Sequence, residues 1–322
     1  MRPLSALGAK DLSGKRVVVR INLDIKDPRP ESLRIRSAVP TLRFLLDKGA
    51  KPIVISHAGR PEGIEPALSL KPAVDILSKE AGAKIDWLEN LRFDPRETAN
   101  DESFARELAK KADLYVNDDF ATSHRAAASI AGVPRFLPAY AGLCMEREIE
   151  NLSRVRDNPA LPLVVIIGGI KIEDKIGVIR HLAHHGTRFL LGSAYETMRE
   201  TLPNGAKIVM PEDYLTDGGK NLDIGPKTAA AYATITQNAK TVIWSGPVGK
   251  TEDARFRSGS RTIAKAIGES TAFSVAGGGD TADFLEQAGL TNKIGFVSTG
   301  GGAMLAFLGG ETLPGLAALD AE

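Results

Sequence analysis

The sequence predicts an α/β protein of two doubly wound, Rossmann-like parallel-sheet domains joined by a linker helix. Three observations predict it. Short apolar runs rich in Val and Ile recur along the chain without strict alternation, as expected of strands covered on both faces. Amphipathic stretches of helical length separate these runs, the order from which parallel sheets are built by crossover connections. At 322 residues the chain is long enough for two cores of ordinary size.

In chain order, strands are expected at 16–21, 52–56 and 114–117, then at 163–167, 188–191, 207–210, 241–244, 273–276 and 296–298. Helices are expected at 39–48, 71–81, 102–111, 174–183, 228–235 and 258–267. Arg34 and Arg36 open a further helical segment that ends at Pro40-Thr41. The stretch 142–156 carries apolar residues at helical spacing with charge elsewhere and lies between the two groups of strands, so it is expected to link them. The resulting division is a first domain 1–141, a linker helix 142–156, a second domain 157–305, and a C-terminal segment 306–322 expected to pack back toward the first domain.

Composition narrows the function. The hydrophobic fraction of 43% and charged fraction of 25% are those of an average soluble protein. A net charge of +1 lacks the basic excess of a nucleic-acid groove. The one cysteine, Cys144, excludes an intramolecular disulfide and is compatible with a reducing cytoplasm. Residues 1–15 hold no apolar core of signal-peptide length, and the longest apolar run, 161–167, is too short to span a bilayer. A cytoplasmic protein with small-molecule ligands, no nucleic-acid partner and no membrane association is expected.

The strand ends are the informative positions, because ligands of such sheets bind beyond the carboxyl ends of the strands. In the second half these ends are glycine clusters: Gly168-Gly169, Gly277-Gly278-Gly279 and Gly300-Gly301-Gly302. Glycine lets backbone N–H groups approach phosphate oxygens, which points to a nucleotide domain. In the first half the ends are polar and basic: Asn22-Leu23-Asp24, Ser56-His57-Ala58-Gly59-Arg60-Pro61, Asn117-Asp118 and Ser123-His124-Arg125. With Arg34 and Arg36 nearby, they make an anion site for a phosphate and a carboxylate together. Phosphoryl transfer between two small molecules needs positioning and charge neutralisation more than covalent help, and these residue types supply both.

The order and spacing of these motifs resemble phosphoglycerate kinase, from about Asp11 to Leu319. The resemblance is carried by Gly14-Lys15-Arg16-Val17-Val18-Val19-Arg20, Leu33-Arg34-Ile35-Arg36, the Ser56–Pro61 stretch, Ser69-Leu70-Lys71-Pro72, Glu89-Asn90-Leu91-Arg92-Phe93 and Val116-Asn117-Asp118. In the second half it is carried by Gly168-Gly169-Ile170-Lys171, Asp174-Lys175-Ile176, Leu222-Asp223-Ile224-Gly225-Pro226-Lys227, Gly277-Gly278-Gly279-Asp280-Thr281 and Ser298-Thr299-Gly300-Gly301-Gly302-Ala303.

The resemblance implies reversible phosphoryl transfer between 1,3-bisphosphoglycerate and ADP, giving 3-phosphoglycerate and ATP with Mg²⁺ as cofactor. It implies that Asn22, Asp24, Arg34, His57, Arg60 and Arg125 hold phosphoglycerate in the first domain. Arg34 and Lys171 would stabilise charge on the transferring group. Gly169, Lys171, Lys175, Gly278, Gly279 and Thr281 would hold nucleotide phosphates, Glu252 the ribose, and Asp280 the Mg²⁺. Domain closure about the linker helix would expel water.

The chain also departs from the family. Asn22-Leu23-Asp24 stands where the family reads Asp-Phe-Asn; alternate residues on a strand point the same way, so 22 and 24 are expected to share a face, with one carboxylate and one amide toward the site. Leu161 replaces an arginine, Ile170 an alanine and Ser245 an asparagine. Chain is missing between Gly82 and Asn90, and several dozen residues are missing between Gly192 and Leu222, where part of the adenine pocket would arise. These departures keep two other readings open: a non-catalytic ligand-binding protein on the same scaffold, or a kinase for another small carboxylate. Ser245-Gly246-Pro247-Val248-Gly249-Lys250-Thr251 imitates a P-loop but has Trp244 where the first glycine is required. His184-His185 reads as an exposed helix end, and Cys144 as a small buried apolar residue.

Overall fold

The computed structural model describes residues 1–170, 173–195 and 206–320. The chain divides into two compact units, Met1–Ile149 with Thr312–Glu322, and Glu150–Glu311.

The first unit is built on five parallel strands: β1 (Arg16–Arg20), β2 (Lys51–Ile55), β3 (Asp86–Trp87), β4 (Leu114–Asn117) and β5 (Ala139–Ala141), in the order β3-β2-β1-β4-β5. β1 is central, with Val19 opposite Val54 on one side and Val116 on the other. Its valines are fully buried, so the β-branched run fills the core on both faces, as expected of a central parallel strand.

The helix Leu33–Asp47 covers this sheet with Ile35, Val39, Leu42 and Leu45, a continuous apolar stripe at helical spacing. The sequence places a break at Pro40-Thr41, but the helix runs through it. Pro40 lies on the exposed face, and the buried stripe continues on either side of it. The segment that returns to this unit begins at Thr312 rather than 306, and its Gly315 N–H donates to the Ser123 carbonyl at 2.8 Å.

The second unit carries β6 (Leu163–Ile167), β7 (Arg188–Leu191), β8 (Lys207–Val209), β9 (Tyr214–Asp217), β10 (Lys220–Ile224), β11 (Thr241–Ser245), β12 (Phe273–Gly277) and β13 (Phe296–Val297). Six of them form a parallel sheet in the order β13-β12-β11-β6-β7-β8. Trp244, fully buried on β11, lies opposite Ile166 and Ala276 and packs edge-on against Phe284. β9 and β10 form an antiparallel hairpin that the sequence reading missed. Its turn is Gly218-Gly219, both with positive φ, as a two-residue hairpin turn requires.

The helix Leu143–Asp157 contains the division between the units. Its N-terminus is held in the first unit: Asp118 Oδ1 accepts from the N–H groups of Cys144 at 2.8 Å and Met145 at 3.1 Å, and Thr41 Oγ1 accepts from Leu143 N–H at 2.9 Å. Cys144 is half-buried on this helix rather than buried.

Candidate active site

In the first unit the polar strand ends converge on Arg20, the last residue of β1 and 1% exposed. A buried guanidinium needs each of its three nitrogens engaged. Here Nη1 pairs with Asp119 Oδ2 at 2.7 Å and reaches the Ile21 carbonyl at 2.5 Å, Nε donates to Ser129 Oγ at 3.0 Å, and Nη2 meets His57 Nδ1 at 2.7 Å.

A guanidinium has no acceptor, so His57 Nδ1 must accept and its proton must stand on Nε2. Nε2 lies 3.9 Å from Asp24 Oδ2. Burial, and after it the positive charge of Arg20 and the arginines beyond, holds the His57 imidazole well below the usual histidine range. His57 is therefore a packed histidine that still presents one N–H in a fixed direction.

The expectation that Asn22 and Asp24 share a face is overturned. β1 ends at Arg20, and the following residues are not extended strand. Asn22 turns inward: Nδ2 donates to Asp119 Oδ1 at 3.2 Å, and Oδ1 accepts from Asp24 N–H at 3.1 Å. Asp24 turns outward, with Oδ1 accepting from Gly59 N–H at 2.8 Å and its backbone carbonyl taking a hydrogen bond from Arg34.

Arg60 and Arg125 line a cavity of about 450 Å³ together with Arg92. Arg60 makes no hydrogen bond or ion pair among the described residues, and Arg125 reaches only His124, at 3.4 Å. Sequence reading missed Arg20, Asp119 and Arg92 as members of this cluster. For Arg92 the signal was there, since it stands inside a quoted motif.

In the second unit, loops at the carboxyl ends of β6, β11 and β12 enclose a cavity of about 670 Å³. Gly169, Lys175, Glu252, Gly278, Gly279, Asp280 and Thr281 all line it. Glycine is required where two of these loops touch. A Cβ on Gly246, at φ +85°, would lie 2.3 Å from the Gly168 carbonyl oxygen. Gly278, at φ +105°, precedes the helix Gly279–Gln287, whose first turn leaves N–H groups facing the cavity. Thr281 is buried and its Oγ1 accepts from Gly246 N–H at 2.9 Å, tying one loop to the other.

Lys175 is largely buried. Its Nζ donates to Tyr195 Oη at 3.2 Å, and that hydroxyl donates to the Gly168 carbonyl at 2.8 Å. Asp280 is exposed, with no hydrogen bond or ion pair among the described residues. Lys171 lies outside the described residues.

Three departures can be placed on this cavity. Ile170 stands at its rim, 86% exposed. Ser245, buried, lines it where the resemblance expects an amide. Where longer chain is missing, Ser193, Ala194 and the hairpin residues Lys220, Asn221 and Leu222 form the wall. Leu161 is 56% exposed and is not among the residues lining either cavity. The rings of His184 and His185 lie tilted to each other with centroids 4.0 Å apart at a helix end.

Comparison with known proteins matches this arrangement. A family model described as phosphoglycerate kinase matches residues 7–88, 80–201 and 194–311. The two junctions fall at the two places where sequence reading finds chain missing. Phosphoglycerate kinase of Herpetosiphon aurantiacus is 38% identical over 381 residues, covering 96% of this chain and 97% of the relative. That of Chloroflexus aggregans is 39% identical over 391 residues, covering 97% and 98%. Aligned lengths well above 322 mean that the relatives carry segments with no counterpart here. Among solved structures, phosphoglycerate kinase of Pyrococcus horikoshii gives a TM-score of 0.85 at 27% identity, covering 99% of this chain and 98% of that one. That of Coxiella burnetii gives 0.82 at 31% identity, covering 98% of each.

Proposed function

The chain belongs to the phosphoglycerate kinase family and is a phosphotransferase, and from that premise we propose which of its residues do the work. The reaction moves a phosphoryl group from the acyl phosphate of 1,3-bisphosphoglycerate to a terminal oxygen of ADP. The C–O–P linkage breaks on the phosphorus side, leaving the carboxylate of 3-phosphoglycerate, and ATP forms.

Asp24, Arg34, His57, Arg60 and Arg125 hold the phosphoglycerate. Asn22 acts one step back, by fixing the Asp24 backbone. His57 offers its Nε2–H while remaining neutral, so it orients an oxygen without titrating at physiological pH. Arg34 and Lys171 take up the charge that spreads over the equatorial oxygens in transfer.

On the nucleotide side, the N–H groups near Gly278 and Gly279 and the ammonium of Lys175 receive phosphate oxygens, and Glu252 receives the ribose. Asp280 fits Mg²⁺ carried on the nucleotide, because its carboxylate is exposed and uncommitted. Among the described residues no group of three or more His, Cys, Asp or Glu is arranged to hold a metal ion by itself. Bound there, Mg²⁺ neutralises phosphate charge. The water-soluble substrates and the single cysteine fit a cytoplasmic monomer, and no described helix is long and apolar enough to cross a membrane.

The observation that carries this reading is that one cavity gathers every described member of the expected nucleotide set. Calorimetric titration tests it. Lys175→Ala is expected to weaken Mg·ADP binding about tenfold or more and leave 3-phosphoglycerate unchanged, with Arg60→Ala doing the reverse. Loss of both ligands, or of neither, in folded variants would contradict the assignment.

A further inference from the structure

The first unit's sheet is open on one face near its β3 edge. Ile53 lies on β2, an interior strand between β1 and β3, yet it is only half-buried. Parallel sheets are normally covered on both faces. Val54, the next residue, points the opposite way and is fully buried in the core, with its register partner Trp87 packed beside it. Ile53 and Leu88, both half-buried, line a groove of about 560 Å³. Lys84 to Leu88 border this groove, and they fall within residues 80–88, the first junction of the family match, where sequence reading finds chain missing.

The rim of the groove is basic. Arg16, Lys84, Lys110 and Lys111 line it, against one carboxylate, that of Asp86. Arg16 is shared with Asp113, 3.6 Å away. Lys84, Lys110 and Lys111 are exposed and make no side-chain hydrogen bond or ion pair among the described residues. Lys51, exposed and opposite Arg16 in the β1–β2 register, extends the positive side. An apolar floor within a rim of uncommitted ammonium groups is complementary to apolar side chains flanked by carboxylates.

We propose that this groove docks an acidic amphipathic helix of a partner protein. The apolar stripe of that helix lies on Ile53 and Leu88, and its carboxylates meet Lys84, Lys110 and Lys111. A helix suits the place better than an added strand does. The groove lies over a sheet face, which in parallel sheets is where helices pack. The strand at the free edge, β3, is two residues long and offers an extended peptide little to pair with.

The probe is a synthetic peptide of Leu and Glu, about 15 residues long so that it can hold a helix, with its leucines on one face. One control carries Lys in place of every Glu. A second keeps the composition and spreads the leucines around the helix. Calorimetry on the full chain is expected to show the acidic amphipathic peptide binding about tenfold or more tighter than either control, with the preference shrinking as salt is added. The emission of Trp87, which borders the groove, should shift on binding; the chain's other tryptophan, Trp244, is fully buried in the second unit. Lys110→Glu combined with Lys111→Glu should abolish the preference and leave ATP formation unchanged. Lys84→Glu, on a different segment, repeats the test should the double variant fail to fold.

Equal affinity for the three peptides overturns the proposal, as does a preference that survives the charge reversals. Dimerisation of the wild-type chain in sedimentation, lost on the same reversals and without any preference for the acidic peptide, also overturns it and gives the groove to a second copy of this chain.

Discussion

Burial first, and Arg20 after it, keep His57 neutral, and Arg20 fixes which way its proton points. Removing one partner of a buried ion pair leaves an uncompensated charge and costs about 3–5 kcal/mol, so Asp119→Ala is expected to lower the unfolding free energy by that order in a denaturant titration. The histidine itself is read by ¹⁵N NMR. Nδ1 of His57 is expected to remain unprotonated from pH 8 down to pH 5.5, with the proton on Nε2. A base whose folded pKa is depressed loses its stability contribution as pH falls below the unfolded value of about 6.5. Acidification from there should therefore destabilise the protein, and His57→Gln should reduce that slope.

Much of the site was legible at this scale. Asp24, His57, Arg60 and Arg125 were named from polar residues at strand ends and the glycines from strand ends in the second half, whereas Lys175 and Asp280 came only from the family resemblance. Asn22 was misread, because alternation was applied to residues that follow the strand rather than belong to it. Arg20 was missed because its partner, Asp119, is distant in sequence and nothing local announces a buried pair.

At the scale of elements, the loops after β6 and β11 meet with no room for a side chain. Gly246→Ala places a Cβ against the Gly168 carbonyl at a positive φ. It is expected to weaken Mg·ADP binding at least about tenfold, because the loops must part, while 3-phosphoglycerate titrates normally.

The helix Leu143–Asp157 brings a different prediction. Asp118, which caps it, is fully buried, and that burial pushes its carboxyl up to about 7. An acid whose folded pKa is raised takes up a proton on folding, so its contribution is full below about pH 4 and is lost as pH rises through 7. Thermal unfolding of wild type against Asp118→Asn should show the variant gaining relative stability between pH 5 and 8, by at most about 1.4 kcal/mol per pH unit. A constant difference across that range would count against the buried carboxyl.

Long, fully buried strands were legible here because β-branched runs can form little else. β3 and β5 were not, since two or three residues carry no period, and their pairing with β2 and β4 comes from the sheet rather than from their own sequence.

For the whole molecule, sequence order conveyed two sheets and a joining helix, because strand–helix alternation and chain length constrain both. It placed the returning segment several residues early: the helix Gly302–Leu308 packs its Ala303, Met304 and Leu308 within the second unit, and the return starts only at Thr312. Among the described residues the second unit's parallel sheet has six strands, and Ser193, Ala194 and the β10 residues Lys220, Asn221 and Leu222 form part of the wall of its cavity.

The central claim is that this shortened chain still joins an arginine-rich phosphoglycerate site to a glycine-lined nucleotide site in one catalytic cycle. The most direct test is a coupled assay of ATP formation from 1,3-bisphosphoglycerate and Mg·ADP, run on wild type, Arg34→Ala and Lys171→Ala. The expected result is turnover by wild type and a fall in kcat of about 10²-fold or more in each variant. A folded wild-type protein without turnover, or either variant working at the wild-type rate, would contradict it.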